Sequence, residues 1–151
     1  MPVGDRQSLS GAHIQRIFGT PEITGELVYE NEVAVKESDY DVDSGAELRH
    51  GDWFTLSATG KIWAGVWLTG ENGPDGWPNY DGDPKFPLRG SHPYALIGRL
   101  DGRYFYVGAN LPTRFYTGRG SRLMLRTNDD APGNGSGAFH VRVQQWRRVG
   151  G

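Results

Sequence analysis

Apolar and polar residues alternate with a period of two along several short segments of this chain, which is the pattern of half-buried β-strands. In residues 53–59 every even-numbered position is apolar, and in residues 138–146 the apolar positions include Phe139, Val141 and Val143. Polar side chains fill most of the positions between them. Each segment therefore presents one face to a core and one face away from it.

The same alternation, interrupted by glycine and proline, predicts eight or nine short strands and no long helix. Strands are predicted over 23–35 (with a turn or bulge at Asn31), 53–59 (ended by Gly60), 62–67, 94–100, 103–107, 114–117, 121–127 and 138–146. Asp101-Gly102 is predicted to be a hairpin turn, and residues 39–45 an acidic loop. Because no strand–helix–strand rhythm is present, the pattern predicts an all-β fold, an antiparallel sandwich of jelly-roll type.

Composition supports this fold class and limits the number of domains. The chain has 151 residues, which suits one domain, and its 23 glycines and 9 prolines disfavour long helices. Leu9, Ile14, Ile17 and Phe18 fall near helical spacing within an otherwise polar start. We therefore expect residues 1–24 to be an N-terminal extension, either an arm or a short helix, and residues 25–148 to be the sandwich domain.

Charge and cysteine content exclude several classes of partner. The formal net charge is −2, and Arg142, Arg147 and Arg148 are the nearest approach to a basic cluster, so nucleic-acid binding is not expected. The absence of cysteine excludes disulfides and thiolate metal sites. No apolar run approaches the roughly 20 residues of a transmembrane helix, and the N-terminus lacks the apolar core of a Sec signal peptide. These features predict a soluble protein, cytoplasmic or exported by a non-Sec route.

Two polar segments without strand pattern are the candidate functional loops. The longer one, residues 69–93, contains Asp75, Trp77, Asn79 and Tyr80, and so long a connection in a compact domain is commonly functional. Saccharides bind to aromatic faces beside carboxylates and amides, so these residues are candidate sugar contacts. The alternative is that Trp77 caps the sandwich while the aspartates and asparagines form turns.

The second loop, residues 128–137, joins the last two predicted strands and begins with Asn128, Asp129 and Asp130. Acidic residues before a glycine-rich reversal are typical of an Asx-type turn. Asp129 is also a candidate sugar contact, since jelly-roll connections can bring both loops to one end of the sandwich.

An ordered set of short motifs runs along residues 25–143. Its members are Gly25-Glu26, Val42-Asp43-Ser44-Gly45, Gly51-Asp52, Ala58-Thr59-Gly60, Gly73-Pro74-Asp75-Gly76, Ala95 to Leu100, Val107-Gly108, Leu123 to Leu125, Asn128-Asp129 and Asn134 to Phe139. In order and approximate spacing this set resembles the galactose-binding jelly-roll domains of bacterial soluble lectins, the family typified by the PA-I galactophilic lectin. The resemblance implies a lectin-like fold and a saccharide or glycoconjugate ligand.

The resemblance also implies a calcium ion (Ca²⁺) that bridges protein and sugar hydroxyls. Matched by position, Asp129 corresponds to the carboxylate ligand, Asn134 to the first of two asparagine ligands, and Ala64 to the residue whose backbone carbonyl binds the ion. Gly135 stands where the second asparagine is expected, and Asp130 is the carboxylate that can compensate for it. The loop is also shorter than the family pattern, and the family's sugar-contacting histidine is missing beside Trp77.

No residues have the pattern of a catalytic site. The four histidines, His13, His50, His92 and His140, are scattered, and the predicted strands carry few acids for the carboxylate pair of a glycosidase. The sequence therefore predicts a non-catalytic, lectin-like carbohydrate-binding module assisted by calcium. The alternative is a structural subunit of a larger bacterial or phage-tail-like assembly that retains the sandwich. In that case residues 1–24 would dock on a partner or hold a homo-oligomer together.

Overall fold

A computed structural model describes residues 14–16, 24–65, 70–78 and 86–149, and over these residues the chain forms ten β-strands and no helix. The strands are β1 (Ile14–Arg16), β2 (Thr24–Lys36), β3 (Val42–Leu48), β4 (Trp53–Trp63), β5 (Glu71–Asn72), β6 (Leu96–Leu100), β7 (Arg103–Tyr106), β8 (Asn110–Phe115), β9 (Ser121–Thr127) and β10 (Ser136–Arg148). No helix long and apolar enough to cross a membrane occurs within these ranges.

The strands form two antiparallel sheets packed face to face. The first sheet has the order β1-β2-β10-β4-β5, with β8 also paired to β4, and the second has the order β3-β9-β6-β7. This arrangement confirms the predicted all-β sandwich. The predicted hairpin turn is also confirmed, since Asp101 and Gly102 join β6 to β7 with φ angles of 53° and 76°, as a tight two-residue turn of type I′ requires.

Strand β10 lies at the centre of the first sheet and carries much of the core. It pairs with β2 over Ala138–Arg148 and with β4 over Ser136–Trp146. Its side chains Phe139, Val141 and Val143 are fully buried against the second sheet, which confirms the predicted alternation. On the opposite face, the buried carboxylate of Glu30 on β2 accepts hydrogen bonds from Arg142 and Gln144 of β10. The remaining buried core side chains come from both sheets, and include Leu27, Val35, Leu48, Phe54, Leu56, Ile62, Leu96, Leu123 and Leu125.

Three local predictions are wrong, because pairing in the sheet overrides the local signal. Gly60 does not end a strand: at φ 95° it stays within β4, opposite Phe139. Asn31 lies within the unbroken β2 opposite Val143, and the irregularity is on the partner strand at Gln145/Trp146. Residues 42–45, predicted as loop, begin β3, where Gly45 at φ 85° lies inside a register shift.

The N-terminal extension contributes one described strand, β1, whose residues Ile14–Arg16 pair with Thr24–Glu26 of β2 at the edge of the first sheet. At these three positions the chain is therefore strand and not helix. Residues 1–13 and 17–23 lie outside the described residues. Docking on a partner or oligomerisation through this segment stays a prediction.

A buried carboxylate ties the two sheets together at one end of the sandwich. Asp52, which is 1% exposed, accepts two hydrogen bonds from Arg147 at 2.9 Å and one from the Gln145 side chain at 2.8 Å. It also accepts the backbone N–H of Arg49. The Gln145 amide donates in addition to the backbone carbonyl of Glu47 on β3. Both Asp52 oxygens are thus satisfied, as burial of a charge requires.

We expect Asp52→Ala to lower the free energy of unfolding by about 2–4 kcal/mol, because it leaves the Gln145 amide and the Arg147 guanidinium without their acceptor. The matched control is Glu47→Ala, which removes an exposed ion pair with Arg122 (side chains 69% and 48% exposed) and should cost about 0–1 kcal/mol. Urea denaturation of both variants measures the difference. Equal losses would show that burial of the Asp52 network contributes nothing.

Candidate functional site

The two polar loops meet at one end of the sandwich, and Asn128 joins them. Its buried side chain accepts a hydrogen bond from the N–H of Leu88 (2.9 Å) and donates to the carbonyls of Leu88 (3.2 Å) and His92 (3.0 Å). Its backbone pairs with Tyr94 and Ala95. The end of the 69–93 loop is therefore fixed to the start of the 128–137 loop, so the prediction that the loops share one pole is confirmed.

Trp77 lies at this pole, half-buried against the core. Its ring stacks on Tyr94 with a centroid separation of 6.5 Å and an interplanar angle of 25°, and its backbone N–H donates to Pro93. Tyr94 itself is buried, adopts a φ of 67°, and has its pKa raised by burial and then by the charges of Asp129 and Asp130. Trp77 and the acidic loop are thus linked through one aromatic side chain.

The other predicted sugar contacts of the long loop are placed differently. The Asp75 carboxylate oxygen Oδ1 accepts hydrogen bonds from the Ala109 N–H (2.8 Å) and the Tyr106 hydroxyl (3.0 Å). This oxygen therefore holds the β7–β8 connection, while the residue itself is exposed. Asn79 and Tyr80 lie outside the described residues, so their role stays a prediction.

A second buried carboxylate, Glu37, lies beneath the 128–137 loop. It follows the end of β2, is 1% exposed, and its Oε1 accepts the N–H groups of Gly133 (3.1 Å) and Gly135 (3.2 Å). Its own N–H donates to the carbonyl of Gly137 at the start of β10. Glu37 thereby fixes the loop's backbone and leaves its second oxygen, Oε2, facing the loop's side chains.

The side chain of Asn134 enters a group of oxygen atoms. Its amide oxygen faces only acceptors: the carbonyls of Ala64 at 2.7 Å and Ala131 at 2.8 Å, and Glu37 Oε2 at 3.2 Å. Four oxygens at such distances repel one another unless a donor or a cation lies among them. Turning the amide over satisfies both ends of the side chain, because its NH₂ group then faces these three oxygens and its oxygen faces donors. A cation among the oxygens would satisfy the oxygen end alone.

Asp129 completes this group, which we name the oxygen cluster: Glu37, Ala64 (carbonyl), Asp129, Ala131 (carbonyl) and Asn134. Asp129 is 1% exposed, and its Oδ1 accepts the N–H of Ala131 at 2.9 Å. Its Oδ2 is buried and receives no hydrogen bond from a described residue. An orphaned buried oxygen of this kind is rare in proteins and indicates a proton, water or ion as its partner.

Burial raises the pKa of Asp129 to about 7, and the neighbouring Glu37 carboxyl and the charge of Asp130 add to the rise, while the Ala131 N–H opposes it. Asp129 therefore binds a proton more readily than a carboxyl group in water. Asp130 is exposed and acts on this pair through its charge.

The ligand residues expected from the resemblance are partly brought together. Ala64 and Asn134 are in contact, and Asp129 joins them through Glu37. Gly135, which replaces the second asparagine, is required by packing, because a Cβ atom there would overlap the carbonyl oxygen of Trp63. No group of three or more histidine, cysteine, aspartate or glutamate side chains is arranged to hold a metal ion among the described residues, so the remaining cluster oxygens come from an amide and from the backbone.

Sequence reasoning missed Glu37 and Ala131. Glu37 lies 92 positions before Asp129 and belongs to no motif, and the carbonyl of Ala131 carries no sequence signal at all. The one available signal for Glu37 was an acidic residue just after a predicted strand that ends near 35, which is common on any surface.

Comparison with solved structures shows the fold of the chain, whereas comparison of sequences finds no match. No protein-family model matches the chain, and no curated protein is similar to it in sequence. Among solved structures, the chain is similar to the EclA N-terminal domain, a PllA-like lectin, with a TM-score of 0.60 and 21% sequence identity over 79% of this chain and 97% of that one. The chain therefore has the fold of a lectin domain.

We expect the ion-free protein to lose stability as the pH rises from about 4 to about 7. A carboxyl group whose pKa is raised in the folded state binds its proton more tightly there, so folding is favoured below the unfolded pKa, and this contribution is lost as the pH passes the folded pKa. The loss for Asp129 should be roughly 2–4 kcal/mol, and Asp129→Asn should flatten the profile. Urea denaturation in a chelating buffer at several pH values measures this pH dependence of the free energy of unfolding. A wild-type profile parallel to that of Asp129→Asn would contradict this account.

Proposed function

We propose that this chain is a non-catalytic carbohydrate-binding domain of lectin type, in which one calcium ion held at the oxygen cluster helps to bind a saccharide. The observation that carries the proposal is the buried Asp129 Oδ2, which receives no hydrogen bond from a described residue and lies beside Glu37 in a group of oxygens that converges on the Asn134 side chain. The lectin fold of the chain supports it.

The chemistry of the cluster fits calcium. Calcium takes six to eight oxygen ligands, from carboxylates, amides, backbone carbonyls and water. Glu37, Asp129 and Asn134 would each supply a side-chain oxygen, and Ala64 and Ala131 a carbonyl each. The set leaves room for further ligands, and vicinal hydroxyls of a sugar are oxygen ligands of this type. When bound, the ion would orient those hydroxyls and replace their water.

Charge balance also supports a divalent cation. Glu37 and Asp129 are both buried and adjacent, so when ionised they place two negative charges in a desolvated space. A buried charge without a partner is costly, and a cation of charge +2 removes this cost. Glu37 then has two roles, because Oε1 holds the backbone of the loop while Oε2 faces the ion position.

The short separation of the Glu37 and Asp129 carboxyl groups argues against hydrolytic catalysis at the oxygen cluster. Retaining and inverting glycosidases separate their two carboxyl groups by about 5–9.5 Å, with the scissile bond between them. Glu37 and Asp129 are instead neighbours and are both buried beneath the loop. This spacing suits shared coordination of an ion.

We expect the wild-type chain to bind calcium, and Glu37→Gln to weaken that binding by at least about tenfold because one of two carboxylate ligands loses its charge. Glutamine retains an oxygen for the N–H groups of Gly133 and Gly135, so the loop should stay folded. Calorimetric titration with calcium chloride measures the affinity, and the thermal midpoint should rise with calcium concentration for the wild type.

Glu47→Gln, on an exposed carboxylate of β3, is the matched control for this titration and should leave the affinity unchanged. A side-chain NMR measurement adds a second test, since the NH₂ group of Asn134 should be protected without calcium and exposed with it. If millimolar calcium produces neither heat, nor a shift in melting, nor a change at Asn134, the amide fills the cluster alone and the calcium proposal fails.

We expect saccharide binding to require both the ion and the indole of Trp77. A glycan array followed by calorimetry on the best ligand, with galactose as the first monosaccharide tested, should show binding in calcium that is lost in a chelator. Trp77→Leu should reduce saccharide affinity by at least about fivefold, through loss of the aromatic face, while calcium affinity stays as in the wild type. Calcium binding with no glycan bound would contradict the saccharide part of the proposal alone.

A further inference from the structure

A concave site lies at the opposite end of the first sheet from the oxygen cluster. It has a volume of about 290 Å³ and is lined by Arg49, His50, Gly51, Asp52, Phe115, Arg147 and Arg148; we name it the basic pocket. The oxygen cluster lies where β10 begins, and the basic pocket lies where β10 ends. With 13 residues in the strand, the two sites are roughly 40 Å apart.

The pocket carries an excess of positive charge. The Arg147 guanidinium is balanced by Asp52, with which it forms two hydrogen bonds at 2.9 Å, and Glu26 acts on it from β2. Arg49 and Arg148 are exposed, and neither has a carboxylate partner among the described residues. Three arginines against Asp52 and Glu26 leave a net positive charge at the pocket, and the guanidinium groups of Arg49 and Arg148 are the ones that face a ligand.

Aromatic rings form the apolar part of the pocket. Phe115 is 43% exposed and its ring lies 5.0 Å from that of the buried Trp53. The Arg148 guanidinium lies over the Trp53 ring at 5.6 Å, which holds this cation beside the exposed Phe115 ring. A free aromatic face next to a fixed guanidinium matches a ligand that has both an apolar face and an anionic group.

The turn that presents Arg49 and His50 is rigid. Asp52 closes it by accepting the N–H of Arg49 and by donating its own N–H to the Arg49 carbonyl. Gly51 and Asp52 pair through their backbones with Tyr116, and the His50 ring nitrogen Nδ1 lies 3.0 Å from the carbonyl of Thr117. A ligand therefore meets a preformed site and orders little of the chain on binding.

From these features we infer that the basic pocket is a second binding site, for a saccharide residue that bears a carboxylate or sulfate group. The guanidinium groups of Arg49 and Arg148 bind the oxyanion, since arginine matches the planar or tetrahedral oxygens of such groups. The Phe115 ring packs against the C–H face of the sugar. The volume lies near the lower end of the roughly 300–1,000 Å³ range of small-molecule sites, so one charged sugar residue fills it. This inference does not depend on the oxygen cluster.

The test uses the full chain in a chelating buffer, so that binding at the oxygen cluster is silenced. Glucuronic acid is compared with glucose, sulfated galactose with galactose, and inorganic sulfate is titrated alone, each followed by the amide NMR signals. The acidic sugars should bind at least about tenfold more tightly than their neutral counterparts, with shifts at Arg49, Phe115 and Arg148. Inorganic sulfate should bind more weakly, because it makes no contact with the ring.

Variants separate the two parts of the site. The double variant Arg49→Gln/Arg148→Gln should lower the affinity for acidic sugars by at least about tenfold. Arg89→Gln/Arg103→Gln, on two exposed arginines outside the basic pocket, is the charge-matched control and should change this affinity less than about twofold. Phe115→Leu should weaken binding of the acidic sugars and leave that of inorganic sulfate unchanged.

Several results would overturn the inference. Equal affinity for acidic and neutral sugars would show that the arginines do not recognise the acidic group. Equal affinity for inorganic sulfate and sulfated galactose would show that the sugar ring contributes nothing to binding. If the amide NMR signals that shift in the wild type lie outside the basic pocket, the acidic sugar binds elsewhere. This result would need no variant. Equally tight binding of a short single-stranded DNA would show general attraction of polyanions instead of saccharide recognition.

Discussion

Pairing of β10 on both of its edges is the constraint on which both ends of this molecule depend. Its ladder with β2 and β4 runs almost unbroken from Ser136 to Arg148. At one end this ladder brings Glu37 and Ala64 beside the loop that precedes β10, and at the other it brings Asp52 beside Arg147. A slip of one residue would turn Phe139 and its alternate neighbours away from the core and separate both polar groups at once. The core pattern and the two polar ends therefore specify the same register.

The buried carboxylates at the two ends of the sandwich, Asp52 and Asp129, have opposite hydrogen-bonding environments. Both oxygens of Asp52 accept hydrogen bonds, and its charge is balanced by Arg147. Asp129 keeps one oxygen without a donor and lies against a second carboxyl group. The arrangement around Asp52 is that of a structural network. At Asp129, by contrast, the described residues supply no donor for the second oxygen, and the neighbouring carboxyl group makes ionisation more costly. Perturbed titratable groups of this second kind concentrate at functional sites.

Alternation alone was enough to predict the sandwich, because each strand needs one apolar face wherever it lies in a sheet. It failed at Gly60 and Asn31, where a residue that favours a turn is kept in a long strand by hydrogen bonds to β10. For the site, family resemblance identified Asp129, Asn134 and Ala64, which are separated by long stretches of chain. It did not identify Glu37, since this residue follows a different strand and belongs to none of the matched motifs.

Gly135 shows how closely the backbone of the 128–137 loop is held against β4. Its backbone approaches Trp63 so closely that no side chain fits, and the same backbone N–H donates to Glu37. Any side chain at this position would demand a wider gap between the loop and the end of β4, and widening that gap would move the Gly135 N–H away from the Glu37 carboxylate. Room for a side chain at position 135 and the hydrogen bond that holds Glu37 are therefore mutually exclusive in this backbone.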